Sequence, residues 1–130
     1  MLPHIKKLLE RNALYIGIFN TVFIAVLSLT SLPELNLGLH IKSNDKYLHA
    51  FAYFTLTFVW LFVFRNLYYK NKFKLTVLIL LTIYGIILEG IQGGLTSYRT
   101  ADAYDALANF FGVLLALILF KKFIFWYNKV

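Results

Sequence analysis

The chain has 130 residues, of which 60% are hydrophobic, and its mean hydropathy is +0.69. Soluble domains are about 45–50% apolar, so a chain this small cannot hide that much apolar surface from water, and a water-soluble globular protein is excluded. The net charge of +7 comes largely from Lys and Arg residues that flank apolar segments. This pattern indicates membrane topology signals and contact with anionic headgroups, and we expect no nucleic-acid partner. The chain has no cysteine, which excludes disulfides and thiolate ligands.

Four apolar segments follow one another along the chain: residues 13–32, 47–64, 74–92 and 104–120. At about 1.5 Å per residue, segments of roughly 17–20 residues cross a hydrocarbon core of about 30 Å as helices. The first is longer than a signal-peptide core and no small-x-small cleavage site follows it, so we expect a retained helix. We therefore predict a single domain, an all-α membrane protein that forms a four-transmembrane-helix bundle with short loops.

The basic residues predict how this bundle is oriented. Ten of the 13 Lys and Arg residues lie before the first segment, from the end of the second to the first residue of the third (Lys74), or after the fourth. An even number of spans puts all three regions on one side of the membrane, and the positive-inside rule makes that side cytoplasmic. Both termini are then cytoplasmic, and the acidic residues gather near the outer face, with Glu10 as the exception. The connection 33–44 is expected to lie at the outer interface.

Polar side chains recur at helical spacing near the outer ends of three segments. The sets that share one helix face are Asp45, His49 and Tyr53 in the second segment, Glu89 and Gln92 in the third, and Asp102, Asp105 and Asn109 in the fourth. Gly112 and Ala116 continue the last set with small residues, which permit close helix contact. Lys46 and Arg99 lie near these sets and could bind carboxylates or a phosphate. We predict that the three faces form one polar site.

Each of these residues also has an ordinary structural explanation. Asp45 and Asp102 could cap helices, Lys46 could extend to the interface, and His49 could bond a backbone carbonyl. Glu89 could pair with Arg99 or Lys46, while Gln92, Asp105 and Asn109 could satisfy backbone groups or join helices. A carboxylate at the centre of a membrane helix costs about 2.5–3.5 kcal/mol, so Glu89 is the hardest of them to explain without partners.

The order and spacing of these residues resemble the signature of the VanZ-like family of small bacterial membrane proteins. The elements that carry the resemblance are Asp45-Lys46-x-x-His49-x-x-x-Tyr53, Glu89-x-x-Gln92, and Arg99-x-x-Asp102-x-x-Asp105-x-x-x-Asn109-x-x-Gly112. The resemblance covers roughly residues 45–116. It implies a multi-pass protein of the bacterial cytoplasmic membrane, with its polar site toward the outer face and a link to resistance to teicoplanin-type glycopeptide antibiotics. The loop 93–98 precedes Arg99 with its own composition, so the shape of the pocket could differ from the family's.

Three functions are consistent with such a site. The first is binding of a membrane lipid, a lipid-linked cell-wall precursor or the glycopeptide antibiotic itself; Lys46 and Arg99 would contact the anion, and the other ligand-binding residues would be Asp45, Tyr53, Gln92, Asp102 and Asn109. The second is an intramembrane hydrolase or transferase acting on a lipid headgroup, with His49, Glu89 and Asp105 as catalytic residues. Alternatively His49, Glu89, Asp102 and Asp105 could hold a divalent metal, and the spacing alone leaves this open. The third is a structural or proton-conducting network.

Overall fold

The computed structural model describes residues 2–29, 45–95 and 103–130, and the side chains of residues 2–28, 47–91 and 104–130. These residues form four α-helices and one short 3₁₀ turn. The helices are α1 (Leu2–Leu29), α2 (Asp45–Val63), α3 (Asn71–Leu95) and α4 (Ala103–Lys129), and the 3₁₀ turn, Arg65–Leu67, lies between α2 and α3. The prediction of an all-helical chain is confirmed over this part of it.

Three of the helices are long and apolar enough to cross a membrane, judged by length and composition: Leu2–Ser28, Asn71–Ile91 and Tyr104–Lys129. The apolar part of α2, Tyr47–Val63, is shorter. Helices α1 and α4 extend about ten residues beyond the predicted bounds, through the charged segments at the two ends of the chain. The bounds differ because the apolar pattern ends at charged residues, whereas Lys, Arg and Glu are good helix formers and carry the helix onward.

The four helices alternate in direction, so that α2 and α4 run parallel to each other. His49 near the start of α2 lies beside Asp105 near the start of α4, and the rings of Phe62 and Tyr127, near the ends of the same helices, are 5.2 Å apart between centroids. The α2–α4 contact is the most extensive in the fold. Helix α3 packs mainly against α4, and α1 mainly against α2.

The α2–α4 contact is closest at Gly112, where the two backbones nearly touch. A Cβ atom built on Gly112 would overlap the carbonyl oxygen of Ala50 and would lie 3.0 Å from its carbonyl carbon. Ala116, one turn further along α4, is fully buried. The small residues predicted to permit close helix contact therefore lie where two helices approach each other, as small-xxx-small pairs do in membrane bundles.

The start of α1, the α2–α3 connection and the end of α4 meet at one end of the bundle, which we call the basic end. The Tyr127 hydroxyl donates to Glu10 Oε1 over 2.7 Å, and Arg65 Nη2 lies 3.4 Å from the same oxygen. Burial of Tyr68 in the connection raises the pKa of its phenol. The two ends of the described chain therefore lie at the same end of the bundle, opposite His49.

Candidate functional site

Three ionisable side chains from three different helices meet at the end of the bundle opposite the basic end. His49 of α2 lies between Glu89 of α3 and Asp105 of α4. The distance from His49 Nδ1 to Glu89 Oε1 is 4.0 Å, and that from His49 Nε2 to Asp105 Oδ2 is 3.8 Å. Glu89 is 6% exposed and Asp105 is 8% exposed. We call this group the His49 cluster.

Asn109 orients the histidine of the cluster. Its Oδ1 atom lies 3.1 Å from His49 Nδ1, and the residue is 2% exposed. Because an amide oxygen only accepts hydrogen bonds, Nδ1 is the donor in this contact, and Nε2 is the ring nitrogen on the Asp105 side. Metal-ligating histidines are commonly fixed in this way by a second hydrogen bond, made through the nitrogen that does not bind the metal.

Tyr53 and Gly85 form the wall of the site that faces the middle of the bundle. Tyr53, one turn after His49, is 2% exposed, and its ring lies 3.3 Å from the Cβ position of Gly85. The amide nitrogen of Asn109 lies 3.0 Å from the same position. A side chain at residue 85 would therefore push against both Tyr53 and Asn109, so the glycine lets α3 approach closely enough for Glu89, one turn later, to reach His49.

The donor atoms of the His49 cluster are arranged as metal ligands could be. One nitrogen or oxygen from each of His49, Glu89 and Asp105 can be chosen so that all three lie within 4.8 Å of one another. A metal bound about 2.0–2.2 Å from each ligand needs donor atoms about 3–4 Å apart, which small side-chain rotations would provide here. Imidazole together with carboxylates suits Zn²⁺ and Mn²⁺.

The other predicted site residues are only partly covered by the described structure. Asp45 and Lys46 lie in the first turn of α2 and Gln92 lies near the end of α3, but their side chains are outside the described set. Arg99 and Asp102 fall between α3 and α4, outside the described residues. The structure thus brings together five predicted residues: His49, Tyr53, Glu89, Asp105 and Asn109.

Sequence reasoning missed two features that support the site. Gly85 was not singled out, although its position four residues before Glu89 put it on the same face of α3. Thr21 of α1 was also missed: its hydroxyl accepts a hydrogen bond from Trp60 Nε1 over 2.9 Å, and its carbonyl accepts one from the Tyr84 hydroxyl over 2.7 Å. Thr21 thereby connects α1 to α2 and α3. A single threonine in an apolar segment does not indicate such a role, so the sequence could not predict it.

The fold and site together define a class: an all-α protein of four described helices, at least three of membrane-spanning length and apolarity, with a buried His–carboxylate cluster between helices. The chain is similar to an uncharacterized protein of the fission yeast Schizosaccharomyces pombe. The two are 37% identical over 98 residues, which is 75% of this chain and 59% of the yeast protein, so the chain spans well under two thirds of its relative's length. No protein-family model and no solved structure matches the chain.

Proposed function

We propose that this chain is an integral membrane protein whose His49 cluster binds a divalent cation and, through it, the phosphate of a lipid-linked headgroup. The observation that carries the proposal is the convergence of one His and two acidic residues, from three helices, within 4.8 Å. Two buried carboxylates repel a phosphate unless a cation lies between them. A bridging metal resolves this conflict, and the predicted cations Lys46 and Arg99 would add direct anion contacts.

We also propose an orientation of the helix bundle in the membrane. The basic end, where Arg65 and the basic residues of α1 and α4 lie, would face the cytoplasm, and the His49 cluster would lie near the outer face of a multi-pass protein. All four helices would then cross the membrane, with α2 as the shortest span. The VanZ-like resemblance, the bacterial inner membrane and the link to glycopeptide resistance remain predictions from the sequence, and the relative described above is a eukaryotic protein.

Metal binding is the first test. Zn²⁺ and Mn²⁺ are titrated calorimetrically into the detergent-purified protein, and its unfolding temperature is measured with and without each ion. We expect a single high-affinity site that is lost in Glu89→Gln and in Asp105→Asn and retained in Glu10→Gln. Glu10 is the matched control because it is a carboxylate at the basic end. Equal metal binding by all four proteins would rule out the His49 cluster as the metal site.

Lipid binding is the second test. The protein is reconstituted in nanodiscs with a polyprenyl phosphate, and the matched polyprenol without phosphate is the control lipid. We expect binding to require the phosphate and to increase with Zn²⁺ or Mn²⁺. It should fall in the Arg99→Ala and Glu89→Gln variants. Equal binding of polyprenol and polyprenyl phosphate would contradict a headgroup site.

A second candidate function is hydrolysis of the same headgroup. It is favoured by the position of His49 Nε2, 3.8 Å from Asp105 Oδ2, because an imidazole beside a carboxylate is a suitable general base for a water molecule. Water would attack the phosphorus, the bond to the leaving oxygen would break, and the proton would pass to His49. Release of inorganic phosphate from polyprenyl diphosphate in liposomes, abolished by His49→Ala, would support an enzyme. Binding without turnover would support a binding protein.

A further inference from the structure

A second site lies at the basic end, between α3 and α4. An open cleft of about 450 Å³ there is bordered by two lysines and by aliphatic side chains: Lys74, Lys121, Leu75, Leu78, Leu117 and Ile118. We propose that this cleft binds an anionic phospholipid, with its phosphate on the two lysines and one acyl chain along the aliphatic residues. This site is separate from the His49 cluster, and the proposal does not depend on the function proposed for that cluster.

The two helices present matching patterns to the cleft. On α3, Lys74 is followed one turn later by Leu78; on α4, Leu117 precedes Lys121 by one turn. Because the helices are antiparallel, both lysines lie toward the basic end and both leucines toward the middle of the bundle. A headgroup and its acyl chain need this order of charge and hydrocarbon along the membrane normal.

Tyr68 forms the floor of the cleft beneath the lysines. It is 1% exposed, and its hydroxyl donates to the carbonyl oxygen of Leu117 over 2.6 Å. The ammonium group of Lys74 lies 4.5 Å from the centroid of the Tyr68 ring, a cation–π contact that holds the charge at the rim of the cleft. One of the two phosphate contacts is therefore already positioned by the protein.

The charges around the cleft are also suitable for an anion. Within the described part of the chain, neither Lys74 nor Lys121 forms an ion pair with a carboxylate, and Glu10, at the same end, is bonded to Tyr127 and Arg65. Leu75 and Ile118 are 57% and 62% exposed, so a large apolar surface borders the lysines. Basic pockets between helices on the cytoplasmic side commonly bind anionic headgroups.

The test compares two double variants that lose the same charge. In Lys74→Gln/Lys121→Gln the lost lysines border the cleft, whereas in Lys72→Gln/Lys122→Gln they are exposed neighbours that do not line it. Each protein is purified in neutral detergent without metal. Phosphatidylglycerol, phosphatidylcholine with the same acyl chains, and inorganic phosphate are each titrated, with binding followed by native mass spectrometry and by unfolding temperature.

We expect the wild type and the Lys72/Lys122 variant to bind phosphatidylglycerol selectively. The Lys74/Lys121 variant should bind it at least about tenfold more weakly, since each lysine near a headgroup contributes about a factor of five. Its unfolding temperature without lipid should equal that of the wild type; if it does not, the two single variants replace it. The proposal is overturned if both double variants lose the same amount of phosphatidylglycerol binding, or if the wild type binds phosphatidylcholine as tightly as phosphatidylglycerol. It is also overturned if inorganic phosphate alone produces the same response, or if a dimer covers the cleft. Loss of metal binding at the His49 cluster would leave it unaffected.

Discussion

The carbonyl oxygen of Ala50 occupies the space that a side chain at Gly112 would need. Ala50 directly follows His49 on α2, and Gly112 lies about two turns after Asp105 on α4. The separation of these helices, and with it the geometry of the His49 cluster, therefore depends on residue 112 having no side chain.

Gly112→Ala is expected to destabilise the protein, because the added methyl group must push the α2 and α4 backbones apart. Overpacking of this kind costs about 1–3 kcal/mol. The measurement is the unfolding temperature in detergent, together with Zn²⁺ affinity, which should also fall as His49 moves from Asp105. Gly90→Ala is the control, since nothing lies within 4 Å of a Cβ atom at Gly90. A Gly112→Ala protein as stable as the Gly90→Ala protein would show that the helices are not this close.

Asn109→Leu should weaken metal binding although the three donor residues, His49, Glu89 and Asp105, are not themselves changed. A leucine has no oxygen to accept a hydrogen bond from His49 Nδ1, so the ring loses the contact that holds its orientation. Loss of such a supporting contact typically costs 10–100-fold in metal affinity. The affinity is measured by competition with a metal-binding dye, and Asn128→Leu, an exposed change on the same helix, should retain wild-type affinity. An unchanged affinity in Asn109→Leu would mean that Asn109 has no part in holding the histidine.

Thr21→Val should destabilise the protein by about 1–3 kcal/mol, because it leaves the partly buried indole N–H of Trp60 without its acceptor. The bond from Tyr84 to the Thr21 carbonyl is retained in this variant. Thr55→Val is the matched control: the Thr55 hydroxyl bonds the Phe51 carbonyl within its own helix, so its loss should have little effect. A double-mutant cycle of Thr21→Val and Trp60→Phe measures the coupling energy between the two side chains. A coupling energy near zero would argue against the hydrogen bond.

The proposed orientation can be tested by single-cysteine labelling, since the chain has no cysteine of its own. Cysteines placed at Lys7, Lys70 and Lys129 should all react with an impermeant thiol reagent from the cytoplasmic side. A cysteine at Ser97, which lies outside the described residues, should react from the opposite side. Reaction of Ser97→Cys and Lys70→Cys from the same side would overturn the four-span topology.

The sequence predicts the helical fold well because apolar segments of membrane-spanning length have few alternatives in lipid. Helical spacing also indicates which residues share a face, and the structure places His49, Glu89 and Asp105 beside one another. Spacing within one helix, however, carries no information about how helices pair. The extensive packing of α2 against α4, with its close approach at Gly112, is a property of the folded bundle that no spacing within one helix predicts.

The basic end shows the opposite limit of sequence reasoning. From the sequence, the Lys and Arg residues there indicate membrane topology, which depends on the number of charges and not on their geometry. The bonds that join Glu10 to Tyr127 and Arg65 connect residues more than 50 positions apart in the chain, and no local pattern marks them. Specific partners of this kind depend on the final packing.

The parallel arrangement of α2 and α4 has an electrostatic consequence. The peptide dipoles of a helix give its amino end a partial positive charge and its carboxyl end a partial negative one. Two amino ends therefore lie on the side of the His49 cluster, where they stabilise the Asp105 carboxylate in the first turn of α4 and would attract an incoming anion. Two carboxyl ends lie at the other side, where Arg65 and Lys129 offset their negative charge. Because α1 and α3 run the other way, this effect is local: it acts on charged groups at the first and last turns of α2 and α4, among them Asp105 and Lys129.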